Sequence, residues 1–133
     1  MKRFFSALFA LVLVVAIGLT GCGEASVTGV TGNYGDDTLA LIESLRTAVN
    51  LPDEDPAKRG AQADAKEKIN AFASRYRRDS KVSGLASFTT MRTALNSLAA
   101  HYSAYPNRPV PEKLKKRLEQ EFRQVEVALK RGA

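Results

Sequence analysis

Hydrophobic positions along the chain form two kinds of pattern, one unbroken apolar run near the start and four periodic stripes after it. From Phe4 to Leu19 the only polar side chain is Ser6. Further on the period changes to three and four residues, as in a helix with one buried face. Leu41, Ile42, Leu45, Ala48 and Val49 make the first stripe, and Ala61, Ala65, Ile69, Phe72, Ala73 and Tyr76 the second. Leu85, Phe88, Met91, Leu95, Leu98, Ala99 and Tyr102 follow as the third, and Leu114, Leu118, Phe122, Val125 and Leu129 as the fourth. No alternating strand pattern of any length appears.

The breaks between stripes carry start and stop signals. The Asp36-Asp37 pair suits a helix start, where carboxylates meet free amides and the positive end of the dipole. Leu51-Pro52 ends that helix, and Asp55-Pro56 repeats the start signal for the second. Gly84 and the polar residues before it separate the second helix from a third over 85–104. Three prolines between Tyr105 and Pro111 then forbid continuation, because proline removes a donor and restricts its predecessor. The fourth helix opens at Pro111. On its outer side Glu112 with Lys116, Glu119 with Arg123 and Glu126 with Lys130 stand four apart in the favourable order, contributing about 0.2–0.5 kcal/mol each. Four amphipathic helices with short connections predict an all-α, antiparallel up-down-up-down four-helix bundle.

The apolar run is sixteen residues long, short of the about 20 that span a membrane, and Lys2 and Arg3 precede it. It reads as an export signal. It ends in Leu19-Thr20-Gly21-Cys22, which resembles the bacterial lipobox, whose cysteine sulfur receives a diacylglyceryl group before cleavage at its amino side. Two or three acyl chains hold a protein firmly, at about 0.8 kcal/mol per buried methylene. An unprocessed signal anchor with an unrelated cysteine is the competing interpretation. Residues 1–21 are therefore expected to be a lipoprotein signal peptide, 22–35 a lipidated flexible tether rich in glycine, and 36–133 the bundle. Cys22 is the only cysteine, so no internal disulfide forms and packing must supply stability. The part from Cys22 onward carries eighteen Lys and Arg against fourteen Asp and Glu, a moderate +4. Export argues against nucleic acid as a partner. The charge favours acidic protein surfaces or lipid headgroups.

Candidate chemistry is sparse. His101 is the only histidine and suits the end of the third helix. A zinc site lacks ligands. Asp53-Glu54-Asp55 lacks the oxygen spacing and glycine turn of a calcium loop. No nucleophile is paired with a base, and no phosphate loop is present, so neither an enzyme nor a bound cofactor is expected. Two groups exceed what a solvated bundle requires. Arg75, Arg77 and Arg78 surround Tyr76 at the end of the second helix, where they also complement its dipole. Tyr102, Tyr105, Asn107 and Arg108 mark the proline-rich turn with the aromatic and arginine combination favoured at interfaces. Tyrosines packed under a loop would leave the same residues.

Several segments together resemble the small photosystem II assembly and repair lipoproteins of cyanobacteria and chloroplasts. They are the lipobox; Thr31-Gly32-Asn33-Tyr34 leading into Asp37-Thr38-Leu39-Ala40-Leu41-Ile42; Tyr76-Arg77-Arg78-Asp79; and Thr93-Ala94-Leu95-Asn96-Ser97-Leu98. The longest run is His101-Tyr102-Ser103 through Tyr105-Pro106-Asn107-Arg108-Pro109 to Pro111-Glu112-Lys113-Leu114, followed by Leu118 to Phe122. The resemblance implies a four-helix bundle without a cofactor, monomeric when free and anchored through Cys22 to the lumenal side of the thylakoid membrane. It also implies transient binding to lumenal loops of the smaller inner antenna chlorophyll protein in immature photosystem II, which keeps the manganese site accessible. A general periplasmic adaptor or inhibitor, or a binder of membrane surfaces, would share the physical features but not these segments.

Overall fold

The computed structural model describes residues 30–106 and 108–133. The expected signal peptide, Cys22, residues 22–29 of the expected tether and Asn107 lie outside the described residues. Four helices follow in order: α1 over Tyr34–Asn50, α2 over Lys58–Tyr76, α3 over Ala86–Ala104 and α4 over Glu112–Lys130. Among the described residues there is no strand, and no helix is long and apolar enough to cross a membrane. Each helix packs along its neighbour in sequence, and α4 closes against α1. The result is the antiparallel up-down-up-down bundle that the stripes predict.

The stripes become the core. Leu45, Ala65, Met91, Ala94, Leu98, Leu118 and Val125 are sealed from solvent, and burying a side chain of leucine size contributes about 1.5–3 kcal/mol. The antiparallel order gives the bundle two unlike ends. At the tether end α1 and α3 begin and α2 and α4 finish; at the far end lie the α1–α2 and α3–α4 connections. Nineteen-residue helices set these ends about 28 Å apart.

Two starts differ from expectation. Helix α1 opens at Tyr34 rather than at the Asp36-Asp37 pair, and its cap is Asn33, whose Oδ1 accepts the Asp36 amide at 3.1 Å. The last residues of the expected tether therefore belong to the bundle. Helix α2 opens at Lys58, while Asp55 accepts the Ala57 amide at 2.8 Å and closes a turn before it. Lys58 folds back there, donating to the Leu51 carbonyl at 3.1 Å and pairing with Asp53, so the end of α1 is capped from α2.

The expected ion pairs along α4 are also redistributed. Glu119 does meet Arg123 at 3.3 Å, but Glu112 meets Lys115 at 3.5 Å, and Glu126 turns to Arg46 of α1 at 2.5 Å. Arg46 also grips Glu119 through Nε at 3.0 Å and Nη2 at 2.9 Å and lies over the Phe122 ring. A guanidinium fork across a partly shielded seam offers two-point geometry that an exposed lysine on the same helix cannot match. These hydrogen bonds hold the Glu119 carboxyl below its usual range.

Candidate functional site

At the tether end a single carboxylate organises the entry of the chain. Asp37 is buried in the first turn of α1 and accepts from the Thr31 amide at 2.8 Å, the Thr31 hydroxyl at 2.7 Å and the Gly32 amide at 3.0 Å. Its fourth donor is the hydroxyl of Tyr76, from the last turn of α2. Gly32 takes a φ of +94°, which brings its N–H round to the carboxylate and which a residue with a Cβ adopts only under strain. Burial alone would raise the Asp37 pKa, but the bonds from Tyr76, Thr31 and Gly32 outweigh it and hold the carboxyl below its ordinary value. Burial and the same bond push the Tyr76 phenol far up, so it stays a donor. Tyr34, Phe72, Tyr76 and Phe88 pack around this hub, with Tyr34 and Tyr76 edge to face at 5.3 Å, and the Tyr34 hydroxyl shares a 2.8 Å hydrogen bond with Ser87 of α3. Sequence reading treated Asp37 as a cap for helix amides. It is instead an acceptor for donors upstream of the helix, and the acidic residue four places after Asn33 was the only signal.

Around this hub the surface is basic. Arg75, Arg77 and Arg78 are all exposed, and none forms an ion pair with a carboxylate among the described residues. Arg75 lies over the Tyr76 ring at 5.3 Å, near Gly32. Arg77 and Arg92 border a groove between α2 and α3 floored by Phe72, Phe88 and Leu95. Lys81 and Arg131 are exposed at the same end. Facing these cations are exposed Asp36 and half-buried Asp79, which accepts the Lys81 amide at 3.0 Å.

The far end is different in kind. Tyr105 follows α3 and leaves 49 % of its surface exposed, with the Arg108 guanidinium over its ring at 5.5 Å and the His101 ring 5.5 Å away on the other helical turn. His101 Nε2 lies 3.4 Å from the Arg108 carbonyl oxygen, so the proline-rich turn folds back over the end of α3. Beside it, Asp53, Glu54 and Asp55 of the α1–α2 connection share a polar groove with Arg59, Arg108 and Pro109.

Tyr102 does not belong to this surface. It is 1 % exposed, packed in the core with Lys66 over its ring at 5.9 Å, so it cannot meet a partner directly. Its position in the third stripe dictates this, because the residue shares a face with Leu95 and Leu98. The hydroxyl finds no hydrogen-bond partner among the described residues, and burial pushes its pKa up to about 12. Of the expected interface residues, the structure therefore brings Tyr105 and Arg108 together, removes Tyr102, and places Arg75, Arg77 and Arg78 at the opposite end. No group of acidic, cysteine or histidine residues able to hold a metal ion occurs among the described residues.

Comparison with known proteins agrees with this architecture. The family described as Photosystem II Pbs27 matches residues 4–129. The Photosystem II assembly factor lipoprotein Psb27 of Thermosynechococcus vestitus is 60 % identical over 133 residues, covering 100 % of this chain and 98 % of that one. The Photosystem II lipoprotein Psb27 of Synechocystis is 54 % identical over 132 residues, covering 99 % and 97 %. The solution structure of Psb27 from cyanobacterial photosystem II superposes with a TM-score of 0.75 at 54 % identity, over 80 % of this chain and 92 % of the other. With family match, full-length identity and bundle architecture in agreement, the chain belongs to the Photosystem II Pbs27 family.

Proposed function

We propose that the chain is a non-enzymatic assembly and repair factor of photosystem II, held on the lumenal side of the thylakoid membrane by lipid on Cys22. The observation that carries this reading is 60 % identity along the whole chain to a protein named as a photosystem II assembly factor lipoprotein. The partner in this reading is the smaller inner antenna chlorophyll protein of the immature complex, met through its lumenal loops. Bound there, the bundle keeps the site of the manganese cluster open and leaves before the oxygen-evolving enzyme is complete. The factor itself binds no cofactor.

The docking residues are those of the far end. A compact loop cannot bridge ends about 28 Å apart. The exposed Tyr105–Arg108 pair supplies an aromatic and a guanidinium already stacked, which lowers the ordering cost of binding. Asn107 lies in the same turn of sequence. Anchoring raises effective concentration, so a weak and reversible contact is sufficient.

Crosslinking with mass spectrometry on purified precursor complexes tests the assignment by naming both surfaces. Tyr105→Ala with Arg108→Ala is expected to weaken co-purification of the precursor at least about tenfold, the scale of losing interface anchors. Crosslinks confined to the tether end would overturn the docking assignment. Cys22→Ala should leave the fold intact and lower occupancy at native expression; equal recovery of mutant and wild type would remove the anchor from the account.

A further inference from the structure

We infer that the tether end of the bundle is a docking surface for anionic lipid headgroups, so that the domain stands on the membrane on its basic end. The inference rests on lipidation of Cys22 for its geometry, but the headgroup affinity is a property of the bundle itself.

The first observation is where the chain is pinned. Thr31 and Gly32 are held to Asp37 by three hydrogen bonds, and Asp37 is locked to α2 through Tyr76. The chain that leads back to Cys22 is therefore fixed to the bundle from Thr31 onward, not from the start of the first hydrophobic stripe. Nine steps of chain separate Cys22 from Thr31 and span at most about 32 Å when fully drawn out. The link joins the bundle at one end only. That end is the one held near the bilayer.

The second observation is the charge of that end. Arg77, Arg78, Lys81 and Arg131 are exposed there with Arg75, and none has a carboxylate partner among the described residues. Their local opposition is the exposed Asp36, the half-buried Asp79 and the buried Asp37, which keeps its negative charge because its donors are neutral, and the cations outnumber these carboxylates. At the far end Asp53, Glu54, Asp55 and Glu112 stand among the cations, and two of those cations, Lys58 and Lys115, are paired with Asp53 and Glu112. The cations thus stand unpaired where the tether enters, within a reach that lets them enter the Debye layer of an anionic surface, about 8–10 Å deep. Each basic side chain near such a surface strengthens binding about fivefold. Standing on this end would hold the Tyr105–Arg108 turn about 28 Å above the headgroups, facing a protein that protrudes from the membrane.

The test uses the chain from Cys22 onward with Cys22→Ser, so that native lipidation plays no part, and vesicles of phosphatidylglycerol or of phosphatidylcholine. Sedimentation should show binding to the anionic vesicles alone, lost when salt rises from about 0.05 M to about 0.5 M. Arg77→Gln, Arg78→Gln and Lys81→Gln together should weaken it about 100-fold, while Arg59→Gln, Lys66→Gln and Lys113→Gln together change it little. Circular dichroism confirms that both triple variants are folded. A fluorophore on Ser80→Cys should be quenched by lipid-borne quenchers, and one on Pro109→Cys should not. No binding to phosphatidylglycerol, or equal losses in the two triple variants, overturns the proposal. So does unchanged vesicle binding with lost precursor capture in the first triple variant, which would assign these arginines to a protein. Intact mass of the chain from its native membrane tests the anchor separately: an unacylated Cys22 overturns the anchoring, whatever the vesicles show.

Discussion

Two buried tyrosines, one near each end of the bundle, are equally hidden and chemically opposite. Tyr76 and Tyr102 are each 1 % exposed. The Tyr76 hydroxyl is donated to a carboxylate that also holds the incoming chain, whereas the Tyr102 hydroxyl has no partner among the described residues. Near the tether end the buried tyrosine is therefore fastened by a polar contact, and near the far end it is held by apolar packing, with the polar contacts of Lys58 and His101 lying outside it. A buried hydrogen bond to a charged acceptor is worth about 1.5–3 kcal/mol, while a hydroxyl buried without a partner contributes nothing favourable beyond its ring. The difference teaches that the same residue type can fasten a surface segment or merely fill space, depending on what the neighbouring helix presents.

The largest expected effect comes from removing the carboxylate. Asp37→Ala should cost about 3 kcal/mol, measured by urea unfolding, because the buried Tyr76 hydroxyl and the partly buried Thr31 and Gly32 donors lose their acceptor together. Amide exchange should accelerate at Thr31 and Gly32, where the chain is released, more than in the middle of α3. The same site sets a pH signature. The folded Asp37 pKa lies below the unfolded value, so its stabilisation is complete above the ordinary carboxylate range, near pH 3.9, and is lost as pH falls through the lower folded value. The stability difference between wild type and Asp37→Asn should accordingly be flat at neutral pH and shrink only below about pH 4.

The tyrosine pair provides the next contrast. Tyr76→Phe should lose about 2 kcal/mol, and Tyr102→Phe should change stability by less than about 0.5 kcal/mol or raise it slightly. Equal losses in thermal or urea melts would break the comparison by revealing a partner for the Tyr102 hydroxyl. The smallest effect belongs to Gly60, in the first turn of α2, where a Cβ would meet nothing within 4 Å and the backbone needs no positive φ. Gly60→Ala should gain about 0.5–1 kcal/mol, stiffening the helix near the far end without altering either surface.

Much of the far end was legible in advance. The three prolines stop α3, and Tyr105 and Arg108 among them are exposed and stacked on one another. For Tyr102 the two readings of the sequence competed, and the burial of its ring follows the stripe it shares with Leu95 and Leu98 rather than the interface reading. At the tether end the arginines were visible as a group. Their separation from Tyr105 by the length of the bundle follows from the antiparallel order, in which α2 and α3 finish at opposite ends.

The sequence by itself determined the helices, their amphipathic faces and the antiparallel order, because 3.6-residue periodicity and short proline-marked connections leave few alternatives. It also determined the family, through segments shared along nearly the whole chain. Tertiary structure alone decided where the tether stops. An aspartate among glycine, threonine and asparagine looks like any helix start until α2 brings a tyrosine hydroxyl to it, 39 residues later in the chain. Long-range hydrogen bonds carry no period and leave no local composition to read. For that reason the hub that pins Thr31 and Gly32 to the bundle emerges only when the helices are packed.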